Sequence, residues 1–99
     1  MNVTISAIKF KADQKLEVFI TEKLEKLTKL HEGIIGSEVT LKLDNTDKPE
    51  NKVVDIRIKI KGNDALASKT AKTFEEATDL AVEALKKQLV KVKEKERSK

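Results

Sequence analysis

Between Lys86 and Lys99 the chain places seven basic residues (Lys86, Lys87, Lys91, Lys93, Lys95, Arg97 and Lys99) against only two acidic ones, Glu94 and Glu96. Ammonium and guanidinium groups crowded in this way suit charge-assisted hydrogen bonding to phosphate or another polyanion. Their surplus of five positive charges exceeds the +4 of the whole 99-residue chain, so residues 1–85 carry a net −1. The basic character is a local patch on a balanced domain, the distribution expected of a polyanion-binding surface.

Other chemistries are poorly supplied. The one histidine, His31, stands beside Glu32 and Gly33 at the expected end of the first helix. A cation there is accounted for by the helix dipole, and no nucleophile or second base lies at a useful spacing. The absence of Cys removes disulfides and thiolate metal sites. Gly33, Gly36 and Gly62 are the only glycines and cannot build a phosphate-cradling loop. Most carboxylates have a lysine at helical or cross-strand spacing. Glu22 with Lys26 and Glu25 with Lys29 are expected as i,i+4 surface pairs, and no metal-ligand spacing stands out. A binding protein is expected, with no catalytic residue, no cofactor, no metal and no small-molecule substrate.

The elements that position the lysines can be read from hydrophobic period. Val3, Ile5 and Ala7 alternate with Asn2, Thr4 and Ser6, which predicts a half-buried strand over residues 2–8. Leu16, Phe19, Ile20, Leu24, Leu27 and Leu30 then recur at steps of three and four. That spacing predicts an amphipathic helix, with Asp13 as its N-cap and Gly33 as a left-handed residue past its end. Two further strands alternate around Val39, Leu41 and Leu43 and around Val54, Ile56, Ile58 and Ile60, joined by a polar loop over residues 45–51. A turn at Gly62-Asn63-Asp64 leads to a weak fourth strand over residues 66–71.

Thr73-Phe74-Glu75-Glu76 fits a capping box, and Phe74, Ala77, Ala81, Leu85, Leu89 and Val92 line one face of the helix that follows. On that helix Lys86, Lys93 and Arg97 flank the apolar stripe, whereas Lys87, Lys91 and Lys95 fall on the solvent side. The predicted fold class is α+β in the order β-α-β-β-β-α. A four-stranded, antiparallel-rich sheet with both helices on one face satisfies every apolar surface. One domain is expected over residues 1–94, followed by a basic, mobile tail over residues 95–99. The N-terminus lacks a signal-peptide pattern and no apolar run reaches the length of a membrane span, so a cytoplasmic protein with no membrane partner is expected.

Lysines on a helix also admit a plain reading, a solvated face that confers solubility on a protein–protein interaction module. A general structured-RNA-binding domain is a further alternative. The lopsided charge favours nucleic acid, as do Lys15, Lys23, Lys26 and Lys29 on the first helix, which would rim one groove with the last helix. Phe10, Phe19 and Phe74 are the only aromatics, none is on a strand, and Phe19 and Phe74 occupy core-facing positions. Recognition is therefore expected through phosphates and 2′-hydroxyls of a folded RNA rather than through bases stacked on the sheet.

The element order and the run Phe74…Ala77…Asp79…Leu85-Lys86-Lys87-Gln88-Leu89-Val90-Lys91-Val92-Lys93-Glu94-Lys95 resemble the ribosome hibernation promoting factor family, also called ribosome-associated inhibitor or sigma-54 modulation protein. Lys23-Leu24-Glu25-Lys26-Leu27 is similar to the family's lysine-containing first helix, and the likeness spans essentially the whole chain. The resemblance implies a fold like the double-stranded-RNA-binding domain with an added N-terminal strand. It also implies binding to small-subunit rRNA where mRNA and tRNA would lie, with translation silenced in stationary phase or stress. Carried over by motif, the RNA-binding residues are Lys87, Lys91, Lys93 and Lys95 with Lys23 and Lys26. The helical wheel adds Lys29, Lys86 and Arg97.

Where the family often has Tyr-Ala-Ala-Ile-Asp, this chain has Glu75-Glu76-Ala77-Thr78-Asp79, so a contact made by that tyrosine is not carried over. Long members add a separate dimerisation domain. Ending at Lys99, this chain resembles a short form, expected to pair ribosomes only with a second hibernation factor or not at all.

Overall fold

Alternation in the first residues produces β1 (Asn2–Ala7), which turns its odd-numbered side chains inward and its even-numbered ones to solvent. The computed structural model describes the backbone of residues 2–97 and the side chains of residues 2–91. After β1 come α1 (Gln14–Leu27), β2 (Ile34–Leu43), β3 (Lys52–Ile60), β4 (Ala65–Ala71) and α2 (Phe74–Arg97), the predicted order β-α-β-β-β-α. The strands lie in the order β1-β2-β3-β4. β1 runs parallel to β2, with Ile5 opposite Val39, because α1 carries the chain back across the sheet between them. β2, β3 and β4 form an antiparallel meander, with Val39 opposite Ile56 and Ile56 opposite Ala67. The sheet is mixed but antiparallel-rich.

Both helices cover one face of the sheet. Ile20, Leu24 and Leu27 of α1 and Ala77, Ala81, Leu85 and Leu89 of α2 are fully buried against Val39, Leu41, Val54, Ile56 and Ile58. At about 1.5–3 kcal/mol for each large apolar side chain removed from water, this layer is the main stabilising term. β4 pairs with β3 along its whole length although its sequence is small and polar. Ala65 and Ala71 are buried beneath α2, whose own contact face uses Ala77 and Ala81. Small side chains on both sides let helix and strand approach closely, which explains a strand that apolar alternation alone signals weakly.

Each helix starts where the sequence indicates. Asp13 caps α1, its Oδ1 accepting the Leu16 N–H at 2.8 Å, and the Thr73 hydroxyl oxygen accepts the Glu76 N–H at 3.0 Å. The end of α1 differs from expectation. The helix stops at Leu27, where the Thr28 hydroxyl donates to the Glu25 carbonyl at 2.6 Å, and the chain then tightens into a turn closed by Leu30 N–H to Leu27 O at 3.0 Å. Gly33 is not left-handed, since Gly62 (φ 93°) is the only glycine with positive φ among the described residues. A Cβ at Gly33 would sit 2.8 Å from the His31 ring, so any side chain there would make that ring shift. His31 thus lies beyond the helix end rather than on it, and its Nδ1 accepts the Gly33 N–H at 2.9 Å.

The expected boundary between residues 1–94 and a tail over residues 95–99 falls in the last turns of α2, where Ser98 and Lys99 lie outside the described residues. Among the described residues, no helix is long and apolar enough to cross a membrane.

Candidate functional site

The two faces of the molecule differ in how their charges are satisfied. On the uncovered face of the sheet the cations are neutralised in place. Lys42 reaches Asp55 at 3.2 Å, Lys59 reaches Glu38 at 2.7 Å, and Arg57 reaches Asp64 at 2.7 Å. The Lys59 hydrogen bond holds the Glu38 carboxyl below the usual carboxylate range, and the Arg57 hydrogen bond does the same for Asp64. A concavity of about 390 Å³ on this face, lined by Glu38, Thr40, Asp55, Arg57 and Ser68 among others, therefore offers no surplus positive charge to an anion.

The helix face is organised differently. α1 presents Lys23 and Lys26 to α2, and α2 presents Asp79, Glu83 and Lys86 back, across a cleft of about 200 Å³ floored by Val82. This order follows from the sequence. Lys23 and Lys26 stand one turn apart on α1, while Asp79, Glu83 and Lys86 recur at steps of four and three on α2. Lys23 bonds to Asp79 at 3.1 Å and lies 5.4 Å from the centre of the Phe19 ring, so both a carboxylate and a π-face hold it. Lys86 is paired with Glu83 at 3.2 Å. Lys86 also begins a second patch, running outward along α2 through Lys87, Val90 and Lys91.

Among the described residues no carboxylate lies within ion-pairing distance of Lys26, Lys87 or Lys91. The Glu22–Lys26 and Glu25–Lys29 pairs expected from spacing are not closed. That leaves Lys26 available to a ligand, since an exposed i,i+4 pair gains only a few tenths of a kcal/mol, comparable with the cost of ordering both side chains.

The structure brings together Lys23, Lys26 and Lys86 in the cleft and Lys87 and Lys91 beside it. Lys29 lies past the end of α1 and does not line the cleft. Lys93, Lys95 and Arg97 continue α2, but their side chains fall outside the described residues. Sequence reasoning missed the two carboxylates inside the cleft. The i,i+3 spacing of Glu83 and Lys86 was a usable local signal, whereas the contact of Lys23 with Asp79 depends on how the helices cross. It also missed the gathering of all three phenylalanines. The rings of Phe10 and Phe74 stack at 5.2 Å with 15° between their planes, and both line one cavity with Phe19.

Chemically, the helix face can hold closely spaced anions. Among the described residues no group of three or more His, Cys, Asp or Glu side chains could bind a metal ion.

A family model described as "Sigma 54 modulation protein / S30EA ribosomal protein" matches residues 3–97. Among solved structures, a ribosomal subunit interface protein from Coxiella burnetii superposes with a TM-score of 0.82 at 20% identity, covering 94% of this chain and 98% of that one. The N-terminal domain of Protein Y from Thermus thermophilus gives 0.80 at 18% identity, covering 93% and 99%. At those identities the likeness shows a shared fold. No curated protein matches the chain.

Proposed function

From the premise that this chain belongs to the sigma 54 modulation protein / S30EA ribosomal protein family, we propose that it is a ribosome hibernation factor. In this reading it acts in the cytoplasm, binding rRNA of the small subunit in the decoding channel. There it excludes mRNA and tRNA by occupying their space, silencing translation in stationary phase or stress. No bond is made or broken, so activity and affinity are the same quantity.

One observation carries the proposal: Lys26, Lys87 and Lys91 have no ion-pair partner among the described residues, beside a cleft that already gathers Lys23 and Lys86. Unpaired ammonium groups can neutralise phosphates without first breaking an internal pair. Lys93, Lys95 and Arg97 extend the same basic run in sequence, and Lys29 follows the first helix. With about six phosphates contacted, affinity falls on the order of a thousandfold between ~50 and ~200 mM salt.

Co-sedimentation with vacant ribosomes on a sucrose gradient tests this. Wild type should comigrate stoichiometrically with the small subunit at low salt, and the Lys87→Glu/Lys91→Glu/Lys95→Glu triple variant should not. A peak of paired ribosomes, with or without a second hibernation factor, would report on dimerisation. Retention of the triple variant on ribosomes would favour docking through the charge-paired sheet face, as a protein-interaction module would bind. Equal affinity for any structured RNA would point to general RNA binding.

A further inference from the structure

We infer, resting on the reading above, that the cavity lined by the three phenylalanines is a socket for one unstacked nucleobase bearing an exocyclic amine. The base belongs to the same RNA whose phosphates the helix lysines hold. The cavity, about 480 Å³, opens where the connection between β1 and α1 meets the first turns of α1 and α2. Phe10, Phe19 and Phe74 line it, and each is half-buried rather than sealed in the core. Phe10 and Phe74 stack on each other with centroids 5.2 Å apart and Lys23 lies over Phe19, so a base would stack on the ring surfaces that line the cavity, and such stacking tolerates any base.

Two further observations select RNA over an apolar protein side chain. The first is charge. Exposed Lys11 and Lys15 border the cavity, placed for the phosphates on either side of an inserted base. The bordering carboxylates do not cancel them. Asp13 uses its Oδ1 to cap α1, and Glu75 sits in the first turn of α2, so the positive end of a helix opposes each. The second is continuity. The Phe19 ring that forms one wall also carries the Lys23 ammonium, 5.4 Å from its centre, and Lys23 lines the interhelix cleft. A strand lying along the α1 side of the cleft therefore reaches the socket past Lys26, Lys23 and Lys15, with Asp79 and Glu83 on the opposite, α2 side.

The carboxylates also set a preference. A carboxylate only accepts hydrogen bonds, so Asp13 and Glu75 favour adenine, cytosine or guanine, whose amines donate, over uracil.

The test is chemical probing of vacant small ribosomal subunits with dimethyl sulfate and kethoxal. It compares wild type, Phe10→Leu and the Lys11→Ser/Lys15→Ser double variant. Leucine keeps an apolar though smaller side chain at this half-buried position and removes the π-face, and circular dichroism checks that the variant is folded. Wild type should protect one adenine, cytosine or guanine whose protection Phe10→Leu loses, with affinity down about tenfold and all other protections intact. The lysine variant should weaken the same protection. In parallel, adenosine 5′-monophosphate titrated into the free protein should shift the ring protons of Phe10 and Phe74, and uridine 5′-monophosphate should do so only at higher concentration.

If Phe10→Leu binds like wild type with unchanged protections, or adenosine monophosphate shifts no ring proton, the socket is overturned. The hibernation reading then still stands on the lysine variants. A fall in affinity with no base losing protection would overturn it too, in favour of a protein side chain in the cavity. Failure of wild type to bind the small subunit at all would sink both readings.

Discussion

The side-chain amide of Gln88 makes two hydrogen bonds to a single residue of the edge strand. Its Nε2 donates to the Leu66 carbonyl at 2.7 Å, and its Oε1 accepts the Leu66 N–H at 3.3 Å. A carboxamide has the donor and acceptor of a peptide group, so α2 supplies the outer edge of β4 with one substitute strand residue. An unpaired edge is a template for intermolecular pairing, and a Leu66 that is 61% exposed would add to the attraction. Gln88→Ala should cost about 1–2 kcal/mol in chemical denaturation and raise self-association in sedimentation velocity. Gln88→Glu should be no better, because the donor is lost and a carboxylate is set against a carbonyl.

The Lys23–Asp79 pair links the two helices on a half-exposed surface, so its net contribution to stability is about 0–1 kcal/mol. Asp79→Asn should therefore leave the melting temperature nearly unchanged. Under the ribosome-binding proposal it should strengthen RNA binding and steepen the dependence on salt by close to one counterion, since Lys23 is freed to neutralise a further phosphate. Weaker binding by Asp79→Asn would show instead that Asp79 holds Lys23 in its working pose.

Ser37 lies on the helix-covered side of β2, 3% exposed, and its hydroxyl has no hydrogen-bond partner among the described residues. Burying an unsatisfied hydroxyl costs about 1–3 kcal/mol. Ser37→Ala is expected to stabilise the fold by up to about 1 kcal/mol, read as a shift of the urea midpoint at constant m-value. A destabilised Ser37→Ala would mean that the packing of the hydroxyl outweighs its desolvation.

Acid should loosen the uncovered sheet face. The hydrogen bond from Lys59 lowers the carboxyl pKa of Glu38, and that from Arg57, with the Ile60 N–H assisting, lowers the pKa of Asp64. Each folded-state value lies below its unfolded one, so the two pairs stabilise the fold at every pH above the ordinary carboxylate range. That stability is lost as pH falls through the depressed values. A carboxyl-carbon NMR titration should place both midpoints below those of free side chains. Lys59→Met should return Glu38, and Arg57→Met should return Asp64, towards ordinary behaviour.

How much of this was legible before the structure depends on whether the information is local. The Thr73 cap, the Asp13 cap and the apolar periods of both helices are local, and they fixed element order and the helix faces. The end of α1 was misread because Gly33 looks like a helix terminator. The helix in fact stops at Leu27, the Thr28 hydroxyl donates to the Glu25 carbonyl, and Gly33 serves the His31 turn. β4 was faint because alanines carry its buried pattern, and their role shows only once Ala77 and Ala81 face them. At the site, the convergence of Lys23, Lys26 and Lys86 follows from two helical wheels. The contact of Lys23 with Asp79 and the meeting of Phe10 with Phe74 depend on crossing geometry, which no single-helix period encodes. Phe19 and Phe74 face the core as their period indicates and pack against it, while their half-buried rings also form part of a cavity wall that the period does not reveal.

The parallel pairing of β1 with β2 sets an order of assembly. β2, β3 and β4 are neighbours in sequence and close as two successive hairpins, over connections of eight and four residues. β1 can join only after the 26 residues between Ala7 and Ile34, α1 among them, have crossed the sheet, so its contacts are reached at a larger entropic cost. Like β4, it has a strand on one side only. β1 is therefore expected to dock after the meander and to detach before it, which hydrogen exchange would read as faster amide exchange in β1 than in β2 and β3.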